Sequence, residues 1–71
     1  MFSDKLRLLR REAGMTQTQA AQEIGISWRT YQDLEAGKYP SYTTLLKIAD
    51  TFQVSVDWLM GRTEDREVHQ L

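Results

Sequence analysis

The stretch "TQTQAAQEIGISWRTYQDLEAG", Thr16 to Gly37, decides the fold. Thr16 followed three residues later by Gln19 is a capping box, in which each side chain can satisfy a free backbone N–H of the other at a helix start. Ala20, Ala21 and Ile24 then supply one apolar side before Gly25, so a short helix is expected over roughly Gln17 to Ile24. Ser27 caps the next segment, in which Tyr31 and Leu34 share a face and which Gly37 ends. Ala21 falls where two such helices would cross closely, since a longer side chain there would push them apart.

Outward from this pair the periodicity stays helical. Phe2, Leu6, Leu9 and Ala13 recur at intervals of four, three and four residues, with Ser3 as the expected N-cap and Gly14 as the stop. Beyond Gly37, Pro40 and Ser41 mark a turn and a new cap, and Leu45, Ile48, Ala49 and Phe52 form a fourth stripe. Ser55 opens a brief fifth helix through Val56 and Leu59 that closes at Gly61. No run alternates at the period of a strand, so the expectation is an all-α domain of five short helices over residues 1–61. Residues 62–71 form a charged C-terminal tail, expected to fray or to add a marginal sixth turn.

Composition excludes several function classes. The 71 residues suit one small domain, and the absence of Cys removes disulfides and thiolate ligands. The lone His69 has no partner His or Cys, so no metal, cofactor or His-based catalytic pair is expected. The carboxylates are scattered without a second catalytic group or a glycine-rich phosphate loop, which argues against an enzyme. Charged residues from Asp4 to Glu12 interrupt the N-terminus, and no long apolar run follows, so neither a signal peptide nor a membrane span is expected and the reading is cytoplasmic. The net charge of −1 is uneven: residues 1–40 hold six basic and five acidic groups, whereas residues 41–71 hold three and five. An anionic partner should therefore meet the N-terminal half.

Two short helices, a glycine opening a turn of about three residues and a small cap before the second helix are the layout of a helix-turn-helix. The residue types carry the likeness further. From Leu6 to Gly61 the chain resembles the phage repressor and Cro type of helix-turn-helix domain, the XRE family. The likeness rests on Gln17 opening the second helix, Ala21 at the crossing, Gly25 in the turn, the Glu35-Ala36-Gly37 exit, "LLKIAD" and "VDWL". It implies a lambda repressor-like fold in which Trp58 packs into the core and Arg10 and Glu35 form an internal ion pair.

The same resemblance implies a site. The first turn of the third helix, about residues 28–36, would enter the major groove of double-stranded DNA, with Thr16 and Gln17 against the phosphates. Trp28, Arg29, Thr30, Gln32 and Asp33 would face the groove behind the Ser27 cap, while Tyr31 and Leu34 turn inward. Arg29 can bond guanine and Gln32 adenine, Thr30 can offer a methyl to thymine or a hydroxyl to phosphate, and Lys38 is a phosphate contact. Trp28 and Asp33 depart from the pattern: an indole is large and apolar, and a carboxylate is repelled by phosphate.

Two functions therefore compete. One is a sequence-specific transcriptional regulator that binds operator DNA, as a homodimer formed on it. The other is a modulator or antirepressor that keeps the fold but binds a partner repressor protein. Trp28, Tyr39 and Tyr42 are the candidate protein interface, and for Trp28 a base contact, a protein contact and packing on its own helix all stay open.

Overall fold

The structure, a computed structural model, describes residues 1–68. It is all-helical there, with α1 over Phe2–Glu12, α2 over Gln17–Ile24, α3 over Trp28–Glu35, α4 over Tyr42–Phe52 and α5 over Val56–Leu59. His69 and the two residues after it lie outside the described range. Among the described residues, no group of His, Cys, Asp and Glu side chains is placed to hold a metal, and no helix is long and apolar enough to cross a membrane.

Four of the five helices begin as their sequences dictate. Both arms of the Thr16 and Gln19 capping box are formed. The hydroxyls of Ser27, Ser41 and Ser55 accept from the N–H groups of Thr30, Thr44 and Trp58. The first helix starts earlier than expected. Met1, not Ser3, is its N-cap, and no side chain caps it. Starting at Phe2 places that ring, only 4% exposed, on the buried side with Leu6 and Leu9. Ala13, at the C-cap, lies on the surface and does not extend the stripe.

The α2–α3 turn depends on Gly25. Its φ of +86° lies in the left-handed region that glycine enters freely. That conformation lets the N–H groups of Gly25 and Ile26 both donate to the carbonyl of Ala21, at 2.9 and 3.0 Å. Ala20 and Ala21 are buried, and the small methyls let α2 pack closely against α3 and α4. α1 packs on α3 and α5. Tyr31, Leu6, Ile48 and Leu59 are the largest fully buried side chains at the centre, with Trp58 at its edge as expected. Phe52 is only partly buried against this core.

Two features escaped the periodicity. α4 ends on Gln53 with φ of +54°, a left-handed cap with no glycine to mark it. Residues 62–68 contain no sixth helical turn. They fold back so that the carbonyl of Arg66 accepts from the N–H of Ser55 at 2.9 Å, and the Arg66 guanidinium reaches Glu12.

Because a side chain in the left-handed region is strained, Gln53→Gly should raise the melting temperature by about 2 to 8 °C in a domain of this size. The bond from Gln53 Nε2 to the Asp50 carbonyl that it sacrifices is exposed. Thermal unfolding followed by circular dichroism reads the shift, and a lower melting temperature would show the cap to be unstrained.

Candidate nucleic-acid interface

The helix-turn-helix is tied to the rest of the domain through one carboxylate. Glu35, the last residue of α3, is 7% exposed. Arg10 grips it with two bonds, Nε to Oε2 at 2.7 Å and Nη2 to Oε1 at 3.2 Å. Gln17 donates to Oε1 at 3.2 Å, and the Tyr31 hydroxyl donates to Oε2. A carboxylate offers about four lone-pair sites, and all four are used. Arg7 adds a further positive charge 3.8 Å from Oε1, while its Nη2 donates to the Glu35 backbone carbonyl at 2.9 Å. The expected Arg10–Glu35 pair is therefore present, within a larger cluster that includes Arg7, Gln17 and Tyr31.

Burial by itself would push the Glu35 pKa up, but the hydrogen bonds from Arg10, Tyr31 and Gln17 together hold it below the ordinary 4.5. The hydrogen bond to Glu35 raises the Arg10 pKa above its ordinary value, so the guanidinium stays charged. Burial, followed by the bond to the anion, pushes the Tyr31 hydroxyl well up, so at neutral pH it stays a donor.

With the C-terminal end of α3 pinned, its first turn is presented outward. Trp28, Arg29 and Thr30 are exposed, as expected, and Trp28 retains 49% of its surface. Gln32 and Asp33 are half-buried rather than fully exposed. At 100° per residue, Gln32 lies on the flank towards Glu35 and Thr30 on the opposite flank. Gln32 lines an open depression of about 570 Å³ with Arg7, Arg10, Arg11 and Gln17. Thr30 lines a smaller one of about 210 Å³ with Lys38, Ser41 and Thr44, and Asp33 borders both.

Capped helix starts open beside α3. At α2, Thr16 and Gln19 exchange bonds, which leaves the N–H groups of Gln17 and Thr18 without acceptors among the described residues. At α4, Ser41 serves Thr44 and leaves those of Tyr42 and Thr43 in the same state. Such unpaired N–H groups and the positive end of the helix dipole suit an anion. Gln17 is divided between two roles: its side chain turns in to Glu35 while its backbone stays at the helix start. Ser27 and Thr30 bond to each other through their hydroxyls at 2.9 Å.

Sequence reasoning missed Arg7 and Arg11, which the helical stripe placed merely on the polar side of α1, and it missed the α4 start. Only the packing of α1 across the end of α3 brings them together. Arg11, Arg29 and Lys38 have no side-chain partner among the described residues, whereas Arg7, Arg10 and Arg66 are engaged with carboxylates. Tyr39 and Tyr42, at 63% and 72% exposed, project beyond the α3–α4 loop.

A buried pair of helices turning at Gly25, with one exposed helix face between two free helix starts, defines a helix-turn-helix domain. A family model described as Helix-turn-helix matches residues 6–59. The chain belongs to this family, the XRE or phage-repressor type of helix-turn-helix proteins. The cryptic phage CTXphi transcriptional repressor RstR of Vibrio cholerae is 39% identical over 71 residues, covering 99% of this chain and 63% of its own length. An uncharacterized HTH-type transcriptional regulator of Bacillus subtilis, YqaE, is 34% identical, covering 99% of this chain and 61% of its own. The HTH-type transcriptional regulator ImmR of Bacillus subtilis is 34% identical over 61 residues, covering 84% and 48%. The chain thus spans between about half and two thirds of the length of these relatives.

The carboxylate cluster should govern both stability and its pH dependence. Removing one partner of a buried ion pair costs about 3 kcal/mol or more. Arg10→Met and Glu35→Gln should each lower the melting temperature strongly, and the double variant should lose less than the sum. Additive losses would deny the coupling.

Because the folded pKa of Glu35 lies below its unfolded value, its ionisation contributes fully above that unfolded value and is lost as pH falls through the folded one. The melting temperature should fall between about pH 5 and pH 3, and Glu35→Gln should flatten that decline more than Glu12→Gln does. A slope unchanged by Glu35→Gln would place the acid sensitivity elsewhere.

Proposed function

We propose that this chain is a sequence-specific DNA-binding transcriptional regulator of the phage repressor and Cro kind. It acts by binding and not by catalysis, in the cytoplasm, where its operator DNA lies. The observation that carries the reading is the exposed first turn of α3, Trp28 to Thr30, with Arg11, Arg29 and Lys38, unpaired among the described residues, and the free N–H groups of α2 and α4 around it. The relatives named as transcriptional regulators and repressors support it.

On this reading α3 lies in the major groove. Arg29 forks onto guanine O6 and N7, Gln32 reaches adenine N6 and N7, and Thr30 meets a thymine methyl or a phosphate. Thr16, the Gln17 N–H, Ser27 and Lys38 hold the phosphates and set the register. Asp33 accepts from cytosine N4. Two copies bind half-sites about one helical turn apart, with Tyr39 and Tyr42 meeting the second copy.

A second reading is favoured by one observation, the half-exposed indole of Trp28 on the helix front beside Asp33. In it the same face anchors a partner repressor, and the chain modulates that protein. A mobility shift of the purified chain on its own upstream DNA, with and without the neighbouring repressor, separates the two. Binding by the chain alone supports the first; a shift altered only through the repressor supports the second.

Three substitutions sharpen the test. Arg29→Ala should relax base preference at one position per half-site and weaken binding by about 1 to 3 kcal/mol. Lys38→Ala should weaken all sequences alike and reduce the salt slope by about one unit. Trp28→Gln should change DNA affinity modestly on the first reading, yet cost a protein complex about 2 kcal/mol or more on the second. Equal losses on all sequences for Arg29→Ala and Lys38→Ala would remove Arg29 from the base-reading role.

A further inference from the structure

Away from α3, one cluster is not used by the proposed DNA contacts. Arg66 grips Glu12 at the end of α1 with two bonds, Nη2 to Oε1 at 2.7 Å and Nη1 to Oε2 at 3.1 Å. The same guanidinium lies 5.1 Å from the centre of the Trp58 ring in α5. Its backbone carbonyl accepts from the N–H of Ser55, the N-cap of α5. Lys5 of α1 lies 5.1 Å from the same ring and also bonds the Trp58 carbonyl. The segment is fixed again where it leaves α5, through the Arg62 N–H to the Asp57 carbonyl at 2.8 Å. Between these two feet it arches over an open space of about 690 Å³ lined by Lys5, Trp58, Arg62 and Glu64.

We propose that residues 62–68 are an electrostatic latch: Arg66, clasped by Glu12 and stacked on Trp58, ties the C-terminal segment across the seam between α1 and α5, and its release loosens α5 without unfolding the helix-turn-helix. The physical basis is the kind of force at each foot. Glu12 and Arg66 are 46% and 40% exposed, so salt screens their attraction, unlike that of the Glu35 cluster. A cation over an indole face adds a contribution that survives only while the guanidinium stays in place. In the core beneath, Leu6, Leu59 and Tyr31 are fully buried side chains held by helix packing.

The latch predicts a local response, independent of whether the chain binds DNA. Amide hydrogen exchange on the full chain reads it at Ser55, and acrylamide quenching reads it at Trp58 in a Trp28→Phe background, where Trp58 is the sole tryptophan. Arg66→Gln and Glu12→Gln should each accelerate exchange at Ser55 by about two- to tenfold, the range of one lost hydrogen bond, and increase quenching of Trp58. Amides of α2 and α3 should keep their rates. Raising salt from about 0.05 to about 0.5 M should produce the same local change in the unaltered chain, which also serves if a variant fails to fold. Unchanged exchange at Ser55, or equal acceleration throughout α2 and α3, would overturn the proposal.

Discussion

The Glu35 carboxylate sets the terms for the whole domain. A buried carboxylate is expensive unless it is fully bonded, and this one is satisfied by donors from three elements: Arg10 on α1, Gln17 on α2 and Tyr31 on its own α3. No two helices can meet that requirement without the third. The cluster thereby fixes the position of α3 relative to α1 and the start of α2, which the apolar contacts of a 71-residue chain would specify less narrowly. Arg7 closes the arrangement by bonding the last carbonyl of α3 and drawing Asp4 into the network.

Pinning one side of α3 has a consequence on the other. Tyr31, Leu34 and Glu35 occupy its inward face, so Arg29 points away from the core by helical geometry, whereas Trp28 and Thr30 are exposed because they lie in the first turn of the helix. The basic side chains divide in the same way. Arg7 and Arg10 are used up internally, and Arg11, Arg29 and Lys38 remain available around α3. A net charge of −1 therefore says little about the surface that matters, because several charges of each sign cancel inside local pairs. The Arg66 clasp works on a different scale, since its ions stay in contact with water and its hold depends on the solution.

Much of this was legible in the sequence because local chemistry carried it. The caps at Thr16, Ser27, Ser41 and Ser55 and the glycines after α2 and α3 mark helix boundaries by hydrogen bonds and φ values reaching only a few residues. Boundaries failed where that local signal was missing or misleading. Ser3 resembles a cap, but burial of Phe2 decides where α1 begins. Gln53 closes α4 in a conformation its residue type does not advertise. The Arg10–Glu35 pair was expected from the family resemblance; nothing in spacing alone joins residues 25 apart.

Five amphipathic helices, the turn at Gly25 and the inward Tyr31 and Leu34 were already written in the residue order, because each follows from a period of 3.6 residues and the chemistry of helix ends, and the outward front of α3 came from the family resemblance. Helix packing settled which charges among the described residues are neutralised and which stay without a side-chain partner. It turned the Gln17 amide towards Glu35, set Gln32 and Asp33 into flanking depressions, and brought Arg66 back to Glu12 across 54 residues. Those outcomes depend on how helices cross, and a long polar side chain takes whichever partner the crossing places within about 3 Å.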